Sequence, residues 1–257
     1  MSDVMISFNK KEALRYFCAQ SDDKSADTLL DAAYQKLKSE LQPRFTMKRF
    51  ECRIESEEEG TVPSLVLLDN GTVFHSKDLA RYVGKARELF LFGATLGSGV
   101  DIALRRMALT SVAEAGAGQA VAAALIETYC DDCCEELRKR LPEGKHLKWR
   151  FSPGYGDWSL EEQKILFPVL GCAHAIGLTL TESCMMAPVK SVTAVMAVTE
   201  DPESNGIEET LEATDREESA WVEFNCNQRA MERQNLFSNS KNKCLRCSKT
   251  DCEFRQK

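Results

Sequence analysis

Apolar and polar positions along the chain alternate between two rhythms. Lys10 to Ala19 has the three-and-four spacing of a helix, and Ser25-Ala-Asp-Thr opens a second amphipathic run through Leu29, Leu30, Ala33 and Leu37 to Leu41, closed by Pro43. Two extended segments follow, Phe45 to Ile54 and Ser64 to Ser76, the second folded at Asn70-Gly71, where both positions tolerate positive φ. A short helix over Ser76 to Lys85 leads to Leu89-Phe-Leu-Phe-Gly-Ala-Thr-Leu, which reads as a buried strand. The longest helical stretch runs from about Gly99 to Arg140; Gly116 and Gly118 within it are weak points or sites of close packing. Lys145 to Phe151 reads as a strand, Ser159 to Ile176 as a helix, and Leu178 to Thr181 and Lys190 to Val198 as strands. Helices and strands mix without a steady βαβ rhythm. This predicts an α+β fold, a central antiparallel or mixed sheet flanked by helices.

After Val198 the pattern stops. Glu200 to Glu218 is acidic and polar and reads as a solvated linker. The predicted organisation is therefore a helical and hairpin region over 1–84, continuous with a core over 85–199, then an acidic linker over 200–219 and a cysteine-rich tail over 220–257. No internal repeat is visible.

Charge narrows the function. The 257 residues carry 40 acidic against 33 basic side chains, a net charge of −7. That balance argues against a nucleic-acid or membrane-surface binder. No run approaches the ~18 apolar residues of a spanning helix, and the N-terminus lacks the basic start and apolar stretch of a secretory signal. The expectation is a cytoplasmic protein. Its 11 cysteines are then reduced thiols, and Cys18, Cys52, Cys172 and Cys184 read as small apolar side chains.

Two constellations carry chemistry. In Arg150-Phe-Ser-Pro-Gly-Tyr155, Pro153 fixes one backbone angle and Gly154 permits a tight turn and close approach by a ligand. The turn would put Arg150 and Tyr155 on one rim, with Asp157 or Ser159 capping the helix beyond. An arginine there can hold a carboxylate through two parallel charge-assisted bonds; alternatively it is merely solvated at a strand-to-helix turn. The second constellation, Cys244-Leu-Arg-Cys247-Ser-Lys-Thr-Asp-Cys252, places three thiols within nine residues of a basic end, with Cys226 the nearest fourth ligand. An iron–sulfur or zinc site, a redox-active dithiol and a tail without function all remain open. Cys130, Cys133 and Cys134 lie in the long helix, where Cys130 and Cys134 could share a face or simply be buried. His75, His146 and His174 are scattered and receive no role.

Arg150-x-x-Pro-Gly-Tyr155, then Gly177-Leu-Thr-Leu-Thr-Glu-Ser-Cys-Met-Met-Ala-Pro188, then Lys190-Ser-Val-Thr-Ala-Val195 together resemble the activation domain of vitamin B12-dependent methionine synthase. Leu91-Phe-Gly-Ala-Thr-Leu-Gly-Ser-Gly-Val-Asp101 and the Ala-rich helix resemble its shorter, stand-alone form. The resemblance is best over 85–199. It implies a shallow groove for S-adenosylmethionine over an antiparallel sheet, with Arg150 at the methionine carboxylate and Pro153, Gly154 and Tyr155 shaping the adenosine end. It implies a role in reductive methylation of oxidised cobalamin on a partner, a cobalamin-binding methionine synthase or related corrinoid protein, with an electron from a flavodoxin-type donor. No residue reads as a covalent catalyst.

The sequence also departs from the family pattern. A family tyrosine after the Ser-Val strand is absent, since Ala197-Val-Thr-Glu-Asp-Pro enters the linker directly. The family's ligand-contacting acidic residues have only Asp101, Glu114 and Glu127 as candidates, equally readable as helix-face charges. Glu182 is expected to pair with an arginine inside the sheet, and Met185, Met186 and Pro188 to serve as core and turn. The competing function is a redox accessory protein that keeps the fold, has lost S-adenosylmethionine and uses a metal or iron–sulfur site in its tail.

Overall fold

The computed structural model describes residues 6–20, 22–55, 62–200 and 224–225. The linker beyond Glu200 and the tail cysteines Cys226, Cys244, Cys247 and Cys252 lie outside the described residues.

Helices α1 (Lys10–Tyr16) and α2 (Lys24–Lys38) come first. Asp23 caps α2, its Oδ1 accepting from the amides of Ser25 and Ala26 at 2.9 and 3.0 Å, so the helix opens one residue before Ser25. Strand β1 (Arg44–Glu55) is followed by the hairpin of β2 (Ser64–Leu67) and β3 (Val73–His75). At its turn Gly71 takes φ +70 and Asn70 Oδ1 accepts from Thr72 N at 3.0 Å. Helix α3 (Lys77–Val83) and strand β4 (Glu88–Thr95) come next.

The single long helix expected over 99–140 is two helices, α4 (Ser98–Thr110) and α5 (Val112–Arg138). Ser111 between them is extended, at φ −159 and ψ 137. Thr110 Oγ1 bonds back to the Arg106 carbonyl at 3.1 Å, competing with helix propagation. The two helices then fold against one another. Gly118 makes this close approach possible: a Cβ there would lie 2.6 Å from Met107 Sδ and 3.0 Å from Leu104 Cδ2.

The helix expected over 159–176 is likewise divided, into a 3-10 turn (Leu160–Glu162), α6 (Gln163–Leu170) and α7 (Cys172–Ile176). Gly171, left-handed at φ +71, ends α6. Strand β5 is only His146–Leu147. A separate hairpin of β6 (Thr179–Leu180) and β7 (Met186–Ala187) precedes β8 (Ser191–Thr199), and β9 (Phe224–Asn225) pairs with β1.

The main sheet runs β3-β2-β1-β4-β8-β5 with every pair antiparallel. This is the expected α+β architecture. Strands β4 and β8 are buried almost throughout because helices cover both faces. Successive β4 side chains go to opposite layers: Phe90, Phe92 and Ala94 join α2, α4 and α5, whereas Leu89 and Leu91 join α3, α6 and Trp158.

The role expected of Glu182 is corrected by this arrangement. It sits exposed at the tip of the β6–β7 hairpin, outside the main sheet. Thr181 and Ser183 shape that tip, Thr181 Oγ1 accepting from Met185 N at 3.0 Å. Met185 is exposed rather than core, while Met186 packs against the α6 layer.

Candidate functional site

The site begins with a counting mismatch. Leu147 pairs with Val198, and Phe151 pairs with Val195. Four steps along one strand thus face three along the other, the signature of a β-bulge with one extra residue. The strand expected over 145–151 is interrupted for this reason. The bulge also changes which way side chains point. Leu147 packs in the α5 layer, and strict alternation would return Phe151 to it. Instead Trp149 and Arg150 both face α5, with Arg138 Cζ 5.3 Å above the Trp149 ring, and Phe151 turns to the α6 layer.

Arg150 therefore points at α5. Its Nη2 donates to Glu127 Oε2 at 2.8 Å, and its Nη1 donates to Asp131 Oδ1 at 2.8 Å and approaches Cys134 Sγ at 3.4 Å. Only 9% of the arginine side chain is exposed, against 34% for Glu127 and 30% for Asp131. Burial opposes the guanidinium charge, but the Cys130 and Cys134 sulfurs and the two carboxylates outweigh it, so the pKa is raised. The merely solvated arginine is thereby excluded. One guanidinium thus bridges two carboxylates one helical turn apart on α5.

The turn follows directly. Pro153 is buried and Gly154 adopts φ +94, donating its amide to the Trp158 carbonyl at 2.8 Å. A side chain at Gly154 would be strained by that angle. Tyr155 stands out of the surface, 61% exposed, its ring centroid 6.3 Å from that of Phe151. Partial desolvation and the nearby Glu127 carboxylate raise its pKa, so the phenol remains a donor at neutral pH. Arg150 is thus buried where Tyr155 is exposed, and the two are linked by the influence of the Glu127 carboxylate and the Arg150 guanidinium on the Tyr155 hydroxyl.

The cap assignment also becomes definite. Ser159 Oγ accepts from Glu161 N at 3.2 Å and caps the 3-10 turn. Asp157 instead reaches across to α3, accepting from Ser76 Oγ and from the amides of Lys77 and Asp78 at 3.0 Å each. Asp78 reciprocates by accepting from Asp157 N at 3.1 Å. Glu162 adds a further tie, accepting from Trp158 Nε1 at 3.2 Å and from His75 N. The turn is therefore stitched to the start of α3 by carboxylates.

Of the three acidic candidates, Glu127 alone joins Arg150. Asp101 accepts from Val189 N at 2.8 Å and Glu114 pairs with Lys36 at 2.8 Å. Asp131 was not singled out by the sequence reading, although Glu127 and Asp131 have the four-residue spacing of one helix face. Cys130, Cys133 and Cys134 are buried, and the Cys134 thiol lies 3.4 Å from Met196 Sδ. Among the described residues no cluster of three or more His, Cys, Asp or Glu is arranged to hold a metal, and no helix is long and apolar enough to cross a membrane.

Residues 112–211 match the family model described as vitamin B12 dependent methionine synthase, activation domain. Among solved structures the chain is similar to the MetH reactivation domain bound to AdoHcy. The TM-score is 0.53 at 20% identity, over 75% of this chain and 70% of that one. No curated protein sequence matches it significantly. The family resemblance read from the three motifs is therefore borne out, and the fold is that of the reactivation domain.

Proposed function

We propose that this chain is a stand-alone reactivation component that binds S-adenosylmethionine at the Arg150–Tyr155 turn and presents it to a cobalamin-binding methionine synthase or related corrinoid partner. One observation carries the reading: on an activation-domain fold, a fixed arginine–carboxylate cluster leads directly into a glycine turn that carries an exposed tyrosine, whose hydroxyl feels Glu127 and Arg150. The ligand would supply the methyl group to the partner's cobalamin, with the electron coming from a flavodoxin-type donor. This chain's own residues bind and orient.

Each group has a distinct task. Gly154 lets the backbone come close to the ligand, and Tyr155 offers an aromatic surface and a hydroxyl donor. Pro153, buried, keeps the turn in one shape. Arg150 uses its remaining N–H groups toward the ligand carboxylate, while Glu127 and Asp131 fix its orientation.

Calorimetric titration with S-adenosylmethionine tests the site. Arg150→Ala is expected to weaken binding by on the order of 1.5–3 kcal/mol, the range for a charge-assisted bond. Arg150→Lys should recover little, because an ammonium cannot span both carboxylates. Equal affinity in Arg150→Ala and the parent chain would overturn the assignment.

A further inference from the structure

The bulge that aims Arg150 leaves backbone groups of β8 without their ladder partners, and a side chain from another element fills the gap. Tyr82, in the last turn of α3, places its hydroxyl between the two strands. That oxygen accepts from Ala197 N at 3.0 Å and donates to the Trp149 carbonyl at 2.5 Å, with the Val195 carbonyl at 3.4 Å. Its ring stacks on Phe151, centroids 5.1 Å apart and planes 19° from parallel. Lys148 closes the other side, its Nζ donating to the Tyr82 carbonyl at 2.9 Å. The hydroxyl thus satisfies one amide and one carbonyl that the extra residue has separated. On either side of it the ladder is regular: Lys148 N donates to the Ala197 carbonyl at 2.9 Å, and Phe151 and Val195 exchange bonds of 2.9 and 2.7 Å.

We propose that Tyr82 is the positioning residue for Arg150: its hydroxyl wedges the bulge at Trp149 and Arg150 and so directs the guanidinium to Glu127 and Asp131. The consequence for the ligand rests on the binding reading above; the consequence for the backbone does not. The physical argument is one of parity. With no extra residue between Leu147 and Phe151, side chains would alternate, and Arg150 would face the apolar layer of Leu89, Leu91, Val195 and Trp158. The wedge gives the Ala197 amide and the Trp149 carbonyl the partners that the bulge takes from the ladder. Tyr82 belongs to the same α3 whose first turn is tied to Asp157, so both ends of this short helix hold the Arg150–Tyr155 segment.

Tyr82→Phe is the direct test, because it removes one oxygen and keeps the ring that stacks on Phe151. The full chain would be compared with Asp23→Ala, which removes the cap of α2 and so controls for a general loss of stability. Site-resolved amide hydrogen exchange in Tyr82→Phe should accelerate by about tenfold or more at Ala197 and over residues 149–151, the effect of losing a bond worth roughly 1.4 kcal/mol. S-adenosylmethionine affinity should fall by a similar factor. Asp23→Ala should leave both unchanged. Unaltered exchange at Ala197 and Phe151 in Tyr82→Phe would overturn the wedge. Faster exchange with undiminished affinity would overturn its positioning role. If the parent chain itself fails to bind S-adenosylmethionine, the proposed function falls, and the exchange measurement alone still decides whether Tyr82 holds the bulge.

Discussion

Strand β8 has two edges, and they are built differently. Along β4 it pairs without interruption from Ser191 to Val198, both strands buried between helix layers. Along its other edge it meets, among the described residues, His146–Leu147 and a bridge at Phe151, with a tyrosine hydroxyl standing in for a missing ladder step. The first edge is held by apolar packing and repeated backbone bonds. The second is held by individual polar contacts, each replaceable by no neighbour. Stability is thus concentrated on one side of β8 and directional precision on the other, which is where the exposed turn emerges.

That contrast can be broken most forcefully from the regular side. Phe92 on β4 is fully buried against Phe45 and α5, so Phe92→Ala should cost about 3–5 kcal/mol in denaturant unfolding. A loss below about 1 kcal/mol would show that the regular edge is not where stability resides. On the irregular side, Asp157→Ala should cost only about 1 kcal/mol, the typical worth of a helix cap, yet speed exchange at the Tyr155 amide.

Its pH dependence has a definite sign. The Ser76 hydroxyl, followed by the Asp78 and Lys77 amides, holds the Asp157 carboxyl below the ordinary carboxylate value. Its contribution is complete above the unfolded value of roughly 3.9 and is lost as pH falls through the lower folded value. An acid titration of stability in which Asp157→Ala and the parent run parallel below pH 4 would contradict this. The smallest effect concerns the thiols beneath Arg150. Burial, above all, pushes the Cys130 thiol up, so at neutral pH an alkylating reagent should modify exposed Cys18 well before Cys130. Mass spectrometry of the timed digest reads the order, and equal rates would mean that the irregular edge opens freely.

Much of the regular edge was legible in the sequence. The continuous apolar run from Leu89 and the Ser-Val strand from Ser191 announce strands covered on both faces, and Asn70-Gly71 announces its hairpin. The breaks in the helices were less legible, because Thr110-Ser111 is a weak stop signal and the fold-back of α5 depends on a tertiary fit at Gly118. The irregular edge was least legible. Arg150, Gly154 and Tyr155 stand out as residue types, but a bulge is defined by counting against the partner strand, and no local pattern in 145–151 reveals it. Glu127 and Asp131 look like ordinary helix-face charges until the bulge turns Arg150 toward them. Glu182 misled for the converse reason: its motif is plain, but the hairpin that carries it lies outside the main sheet.

The corner between α4 and α5 offers something practical. Ser111 interrupts the two helices, and its neighbours Leu109 and Val112 are each 90% exposed. From Val112 to Glu127 the axis of α5 rises by about 22 Å at 1.5 Å per residue, so the corner is well removed from the arginine cluster while rigidly connected to it. A fluorophore or a short peptide tag placed there would be carried by the same helix that holds Glu127 and Asp131. It would report rotation of that helix from a point well outside the arginine cluster.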